Sequence, residues 1–551
     1  MPLTDERLHL QRWLSARPAL GIAALVLLLT GALWIASWLL APYALPEASF
    51  EDIRDAQERA SSIFLVVLPV CALVGVALPR RPALHHVLLF VCFVLGASIY
   101  FPYTNDDSLI FSRYARHLAA GDGLVFNVGE RVEGITSLAW VAILAFLMRI
   151  GAHPVLAGKL LGDVLMFASA SLLYRIVHRA TRDRRAAFLT ALMLVCDQHL
   201  LSWAGSGMDV SIFVFWILAF TASLQHDDRC AITWRTIAVA VVGWYVRPEA
   251  ALFIAVGLLW LWARSPQPKS ELPRLTLVGL AFVLLVAGRW FYFERLVPNT
   301  YVAKSAMQLN DPLPWFRQVI AYWTVPFLGI GVAGLWGVRA RLGWLIPVFL
   351  VMVAHFYRAG GDVLSIRFSL FVLPPLMIGV GQVLAAIDGR ARGNGLAALL
   401  VAGALLSPAL GRLYDVRGEV EGEVAHTYVP GNATVSYQVD YHAAEYVRAH
   451  SGPDDLLVAD NIGVIGYYGE IRMLDTYGLT SRSVADRYAS GERVELSAEI
   501  AALRPRWILS NPAGWMWAAA ELPQYTRGDY VQVGRWDSFG WSRILLERQT
   551  P

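Results

Sequence analysis

YTNDDSLIFSRYARHLAAGDGLVFNVGERVEGITSLAW, residues 103–140, is the stretch on which the reading of the whole chain turns. Two adjacent carboxylates, Asp106 and Asp107, follow directly on an apolar run long enough to cross a bilayer, and a charged, glycine-punctuated segment comes next. An acid pair is therefore expected at a membrane surface. Asn105 or Asp106 is a suitable N-cap, and Gly121 a suitable stop, for a helix of about three to four turns. On that helix Asp106, Ile110, Arg113 and His117 recur at helical spacing, so acid and base share one face. A solvated helix laced with ordinary salt bridges is the competing interpretation.

Working outward, the composition sets the class. Of 551 residues 56% are hydrophobic and 16% charged, against about 45–50% and about 25% in globular proteins, and the mean hydropathy is +0.49. The sequence predicts a polytopic α-helical membrane protein, its 20 tryptophans suited to interfacial belts. A net charge of +3, with no basic stripe interleaved with aromatics, points away from nucleic acid. Cys71, Cys92, Cys196 and Cys230 lie in or beside apolar segments, which suits neither a disulfide framework nor a paired-cysteine metal site. His85 and His86 beside Arg80 and Arg81 read as interface residues, and His442, Glu445 and His450 as exposed polar groups on a helix.

Apolar runs and basic loops place about 13 transmembrane helices within residues 1–412. Arg7, Arg12 and Arg17 put the amino terminus inside, and the run 19–41 reads as a signal anchor. Spans are expected at about 61–78, 84–101, 155–177, 186–204, 210–225, 275–293, 315–338, 343–358, 367–388 and 394–412. The run 137–150 measures only about 21 Å against a hydrocarbon core of about 30 Å, and reads as interfacial or re-entrant. Runs 236–246 and 250–263 flank Arg247-Pro248-Glu249, where proline breaks the helix and two charges require a protein or water-filled interior. Residues 413–551 change character: strand-like DLLVAD, RMLDTYG, RWILSN, YVQVGRW and RILLER alternate with helix-like HAAEYVRAH and SAEIAALR, which predicts a small extracytoplasmic α/β domain. NIGVIGYYG carries Gly463, Gly466 and Gly469 without forming the dinucleotide fingerprint.

By this topology Asp106, Asp107, Arg113, Arg116, Arg131, Glu133, Asp209, Arg247, Glu249, Lys304, Asp362 and Arg367 all fall at outer ends of spans, in a loop of about 102–136 and its neighbours. Charges near a bilayer surface cost free energy unless paired or solvated, so their gathering on one side is informative. Acids mixed with cations suit an anionic lipid headgroup carrying a leaving group, together with a hydroxyl that must lose a proton. A carboxylate within reach of a sugar hydroxyl can act as general base. Lys304, Arg247 or Arg367 could hold a phosphate. Of two vicinal acids, one can abstract the proton while the other orients the acceptor or binds a cation.

With these residues in view, the loop resembles the first outer loop of the lipid-dependent class-C glycosyltransferases (GT-C), and specifically the branch of the actinobacterial terminal arabinofuranosyltransferases. The likeness continues in order through SGMD (206–209), VRPEAAL (246–252), LVPNTYVAK (296–304), RAGGDVLSIRF (358–368) and NIGVIGYYGEIRMLDTYGLTSR (461–482). It covers about 100 to 510 and leaves out the hairpin before residue 84. The resemblance implies a GT-C fold and an inverting transferase that moves a pentose, arabinofuranose by expectation, from a polyprenyl-phosphate donor to an envelope glycan or protein. It implies that Asp106 is the base and Asp107 its partner, that Arg247, Lys304 and Arg367 meet the donor phosphate, and that Arg113, Asn127, Arg131, Glu133, Asp209, Glu249, Asn299 and Asp362 contact substrate. Asp209 stands where the branch often has glutamate and reaches one methylene less. The resemblance implies a metal-tolerant or metal-independent enzyme, so metal dependence stays open with a divalent cation compatible, and a monomer in the bacterial inner membrane is expected. A sugar-lipid flippase and a non-catalytic envelope assembly protein are the rival readings; a flippase would want polar groups near the midplane rather than at one leaflet.

Overall fold

The computed structural model describes residues 50–225, 231–307, 325–358, 367–390, 395–413, 430–490, 496–511, 527–538 and 541–549, together with 317, 319 and 320. The expected span at 19–41, Cys230 and Asp362 lie outside the described residues. Among the described residues four helices are long and apolar enough to cross a membrane: Arg59–Ala77 (the end of a helix from Phe50), Pro82–Tyr100, Pro154–Thr181 and Pro268–Phe293. Shorter apolar helices stand beside them, among them Leu138–Arg149, Val210–Leu224, Trp234–Val246 and Ala250–Arg264. The chain is thus a multi-pass membrane protein, although by length alone the described residues supply four spans, or five with a bent pair, rather than the count of 13.

That bent pair occupies the stretch expected as a span at 186–204 and shows it to be broken rather than continuous. Helix Arg184–Val195 ends, and Gln198–Gly205 restarts at 54° to it. The cause is local: Asp197 Oδ1 accepts from the Leu200 amide at 2.9 Å and caps a new helix in mid-span. The proline of Arg247-Pro248-Glu249 ends one helix at Val246, and the next begins at Ala250, as its missing N–H requires. Run 137–150 is indeed a 12-residue helix, Leu138–Arg149, capped by the Ser137 hydroxyl.

The tail carries a five-stranded sheet of β1 (Leu456–Ala459), β2 (Arg472–Asp475), β3 (Trp507–Ser510), β4 (Tyr530–Ser538) and β5 (Trp541–Arg548), in the order β2-β1-β3-β5-β4. β1 pairs in parallel with β2 and β3, and β5 antiparallel with β3 and β4. Parallel pairing needs crossovers, which helices Gly463–Gly469 and Arg482–Ser490 help to provide. Val458, Leu474, Val484, Ile508 and Leu546 form a core of the tail's own. Helix Pro430–His450 lies against β4 and β5 and also meets Gly463–Gly469, which in turn packs on the loop helix Asp106–Ala120. The tail therefore sits directly on the acid pair.

Candidate active site

The loop helix begins where its sequence says it should. Asn105 Oδ1 accepts from the Asp107 amide at 3.0 Å, and Gly121 closes the other end at φ 95°, a left-handed value that glycine adopts without Cβ strain. Asp106 and Asp107 thus occupy the first turn, both half-buried. Beneath them the Lys159 ammonium gathers three carbonyls, those of Phe101 (2.9 Å), Gly205 (2.8 Å) and Tyr103, tying the end of one span, the loop and the bent pair together.

The two acids are held differently. Asp106 accepts from the Gly463 amide at 2.9 Å and the Val464 amide at 2.7 Å, one on each oxygen, across 357 and 358 residues of sequence. Burial, with Asp440 and Asp107 close by, pushes its carboxyl up to about 8 against the pull of those amides. Such a group becomes a base near neutral pH. Asp107 instead accepts from Arg367 Nη1 at 3.2 Å and keeps 28% of its side chain exposed. The Arg367 guanidinium lies over Trp203 (5.4 Å) and Phe368 (5.1 Å).

Arg367 opens a single 3-10 turn, Arg367–Phe371, whose other end forms the floor of a second cluster. Phe371 lies 4.9 Å beneath the Arg247 guanidinium. Arg247 donates to Asp209 at 2.7 Å and to Glu249 at 3.0 Å, and Thr136 donates to Asp209 at 3.3 Å. Two carboxylates on one guanidinium leave a net negative site, so the contact with a donor phosphate expected of Arg247 is opposed by its own partners. A third group joins Glu133 to Arg289 at 3.0 Å, while the Asn299 amide donates to the Glu133 carbonyl at 2.9 Å. Burial pushes the Glu133 carboxyl up despite Arg289. Asp209 Oδ1, Glu133 Oε2 and Asn299 Oδ1 are buried with no partner among the described residues.

Other expected substrate contacts are taken up by the protein itself. Arg113 shares the helix face of Asp106, as its spacing predicts, and donates to the carbonyls of Phe126 (2.7 Å), Gly466 (2.6 Å) and Ile471 (2.7 Å) and to Asn127 Oδ1 (3.3 Å). Asn127 exchanges bonds with Met473 in β2, and the Asn299 side chain donates to the carbonyls of Gly478 and Leu479. All three are buried and fasten the loops to the tail, with Asn299 Oδ1 the one of their polar atoms left without a partner among the described residues. Arg131 is exposed and stacks 4.9 Å from the Tyr292 ring centre. Lys304 is exposed on helix Asn299–Met307, which packs on helix Arg482–Ser490 of the tail.

Each carboxylate of the acid pair already has donors, two amides for Asp106 and Arg367 for Asp107, and no His, Cys, Asp and Glu cluster able to hold a metal occurs among the described residues. Sequence reasoning passed over the tail residues that meet Asp106. The signal was present in NIGVIGYYG: glycines three apart lie on one helical face and permit close approach. A Cβ on Gly463 would stand 1.8 Å from the Asp106 carbonyl oxygen, and one on Gly466 2.9 Å from Arg113 Nη1.

Residues 422–549 match a family described as a domain of unknown function, DUF8728. The chain is similar to two proteins named terminal beta-(1->2)-arabinofuranosyltransferase. That of Corynebacterium glutamicum is 26% identical over 329 residues, covering 51% of this chain and 48% of the relative. That of Mycobacterium tuberculosis is 29% identical over 220 residues, covering 36% and 35%. The matches thus span half or less of the relatives' length. Among solved structures, the crystal structure of ArnT from Cupriavidus metallidurans bound to undecaprenyl phosphate aligns with a TM-score of 0.50 at 12% identity, covering 88% of this chain and 97% of that one. At that identity the likeness is one of fold. The resemblance to the arabinofuranosyltransferase branch and the GT-C fold are both borne out.

Proposed function

We propose that the protein is a membrane glycosyltransferase that moves a pentose, arabinofuranose by the likeness of its relatives, from a polyprenyl-phosphate donor to an envelope glycan or protein on the outer face of the bacterial inner membrane. The observation that carries this is the joined pair of half-buried acids, Asp106 held by two amides and made basic near neutrality by burial, and Asp107 paired with Arg367. The acceptor hydroxyl attacks the anomeric carbon as the bond from that carbon to the phosphate oxygen breaks. The departing polyprenyl phosphate takes the electron pair, and the hydroxyl proton passes to Asp106.

In this reading Arg367 and Lys304 meet the phosphate, and its developing charge competes with Asp107 for the Arg367 guanidinium. Arg247 instead staples Asp209 and Glu249. The unpartnered oxygens of Asp209 and Glu133 suit hydroxyl donors on a sugar or on water. Asp362 keeps its expected place in sugar recognition. The reaction needs no resident metal, which dialysis against EDTA before assay tests. Two experiments address the whole: transfer from a synthetic polyprenyl-phosphoryl arabinofuranose by purified protein, and mass spectrometry of envelope glycans and glycoproteins from a deletion strain. Loss of one pentose unit in the strain and transfer in vitro support the proposal; an unchanged glycan profile with no transfer to any envelope fraction overturns it.

A further inference from the structure

Behind the two amides that hold Asp106 lies a polar assembly drawn from three elements of the tail. Arg543, on β5, is 1% exposed and Asp440, on helix Pro430–His450, 0%. Arg543 Nε donates to Asp440 Oδ1 at 2.7 Å and its Nη1 to Asp460 Oδ1 at 3.0 Å. Asn461 Nδ2 donates to Asp440 Oδ2 at 2.7 Å. Two and three residues beyond Asn461 come Gly463 and Val464, whose amides reach Asp106. The assembly therefore braces the turn that grips the acid.

Stability does not account for it. A buried ion pair repays its desolvation poorly, and apolar residues of similar volume often do as well or better. The tail already has an apolar core around Val458, Leu474 and Ile508, separate from this assembly. What distinguishes the buried charges is what they face. Asp106 is met by Asp107 from its own helix, by Asp440 from helix Pro430–His450, by Arg543 from β5, and by the two amides from helix Gly463–Gly469, while Arg367 acts on it through Asp107.

We infer that Asp440, Asp460, Asn461 and Arg543 are positioning residues of the acid centre, bracing the Gly463–Val464 turn against Asp106 so that the proton acceptor is complete only when the tail is docked. The inference rests on the reading of Asp106 as base. Asp440 and Arg543 act on the carboxylate with opposite sign. Without Asp440's charge Asp106 loses its proton more readily; without Arg543's it does so less readily.

The test uses the full chain in lipid nanodiscs, assayed for transfer from a synthetic polyprenyl-phosphoryl arabinofuranose across pH. For Asp440→Asn the acid limb of kcat/KM moves to lower pH by about one unit, and for Arg543→Gln it moves to higher pH by a similar amount, with the donor KM unchanged in both. A purely structural role would lower the amplitude of both profiles and leave the limb in place. Hydrogen exchange at the Gly463 and Val464 amides, read in the same samples without turnover, is slow in the parent and quickened in Arg543→Gln. Should either variant fail to fold, Asn461→Ser carries the same test with a smaller expected shift, upward in pH. An acid limb that stays put in the variants overturns the inference, whatever the amides do. Retained turnover in Asp106→Asn with slow amide exchange instead refutes the base while leaving the docked turn intact, so the two failures are told apart.

Discussion

Two ion-paired arginines flank one short turn, and they differ in what they leave available. Arg247 is enclosed by Asp209 and Glu249, its side chain 5% exposed and those of its acids 0% and 16%. Arg367 is as buried at 4%, yet the acid it holds, Asp107, is 28% exposed. The first cluster is closed on itself and carries an excess of negative charge. The second presents a carboxylate to the outside beside a cation. Similar residues at similar depth can thus be a staple in one place and a handle in the other, and partner count with exposure, more than residue type, separates them.

That contrast can be broken most severely at the acid beside the handle. Asp106→Asn is expected to lower transfer by about 10²- to 10⁴-fold, the range for loss of a general base, with melting in detergent unchanged; full turnover would remove chemistry from the open cluster. Next comes Arg367→Gln, for which kcat/KM should fall by about 10²- to 10³-fold while the protein stays folded. The closed cluster should respond in the opposite manner: Arg247→Gln is expected to cost about 3–5 kcal/mol of stability by stranding two buried carboxylates, visible as an early thermal transition, and to alter kinetics only as far as folding suffers. If Arg247→Gln is stable and inactive, the distinction between the clusters fails.

The pH dependence sharpens the same point. Only the ionised form of Asp106 accepts a proton, and burial holds the carboxyl up to about 8, so kcat/KM should climb with pH towards about 8 rather than level off in the range of an ordinary carboxylate near about 4. A plateau from pH 5 upward would mean that Asp106 is not the titrating group. The smallest effect is expected at the rim, where Arg131→Gln loses the stacking on Tyr292, worth about 0.5–1 kcal/mol at an exposed site, measurable as a shift in the melting curve.

Much of this arrangement could be read from local sequence. Asn105 and Gly121 declare the ends of the loop helix, Pro248 declares a break, and the five strands of the tail announce themselves by composition between turn residues. These are short-range properties, set by a cap, a missing N–H or a run of branched and aromatic side chains. Partners distant in sequence were not legible. Helical spacing places Arg113 on the same face as Asp106, but nothing nearby says that backbone carbonyls of Gly466 and Ile471 will consume its donors. Likewise Arg247 reads as a free cation until Asp209, 38 residues earlier, is seen against it. The bend at Asp197 was hidden because hydropathy averages over the one side chain that caps the second helix.

The grip on Asp106 has one more consequence. Both donors belong to the main chain, so no side-chain truncation in that turn deletes them, and alanine replacement within helix Gly463–Gly469 would pass over the contact unless it altered Gly463. A hybrid in which the membrane part is joined to a foreign tail would inherit the acid but not its clasp, and would be inert unless the donated segment brought a glycine, and the peptide path around it, to the same point.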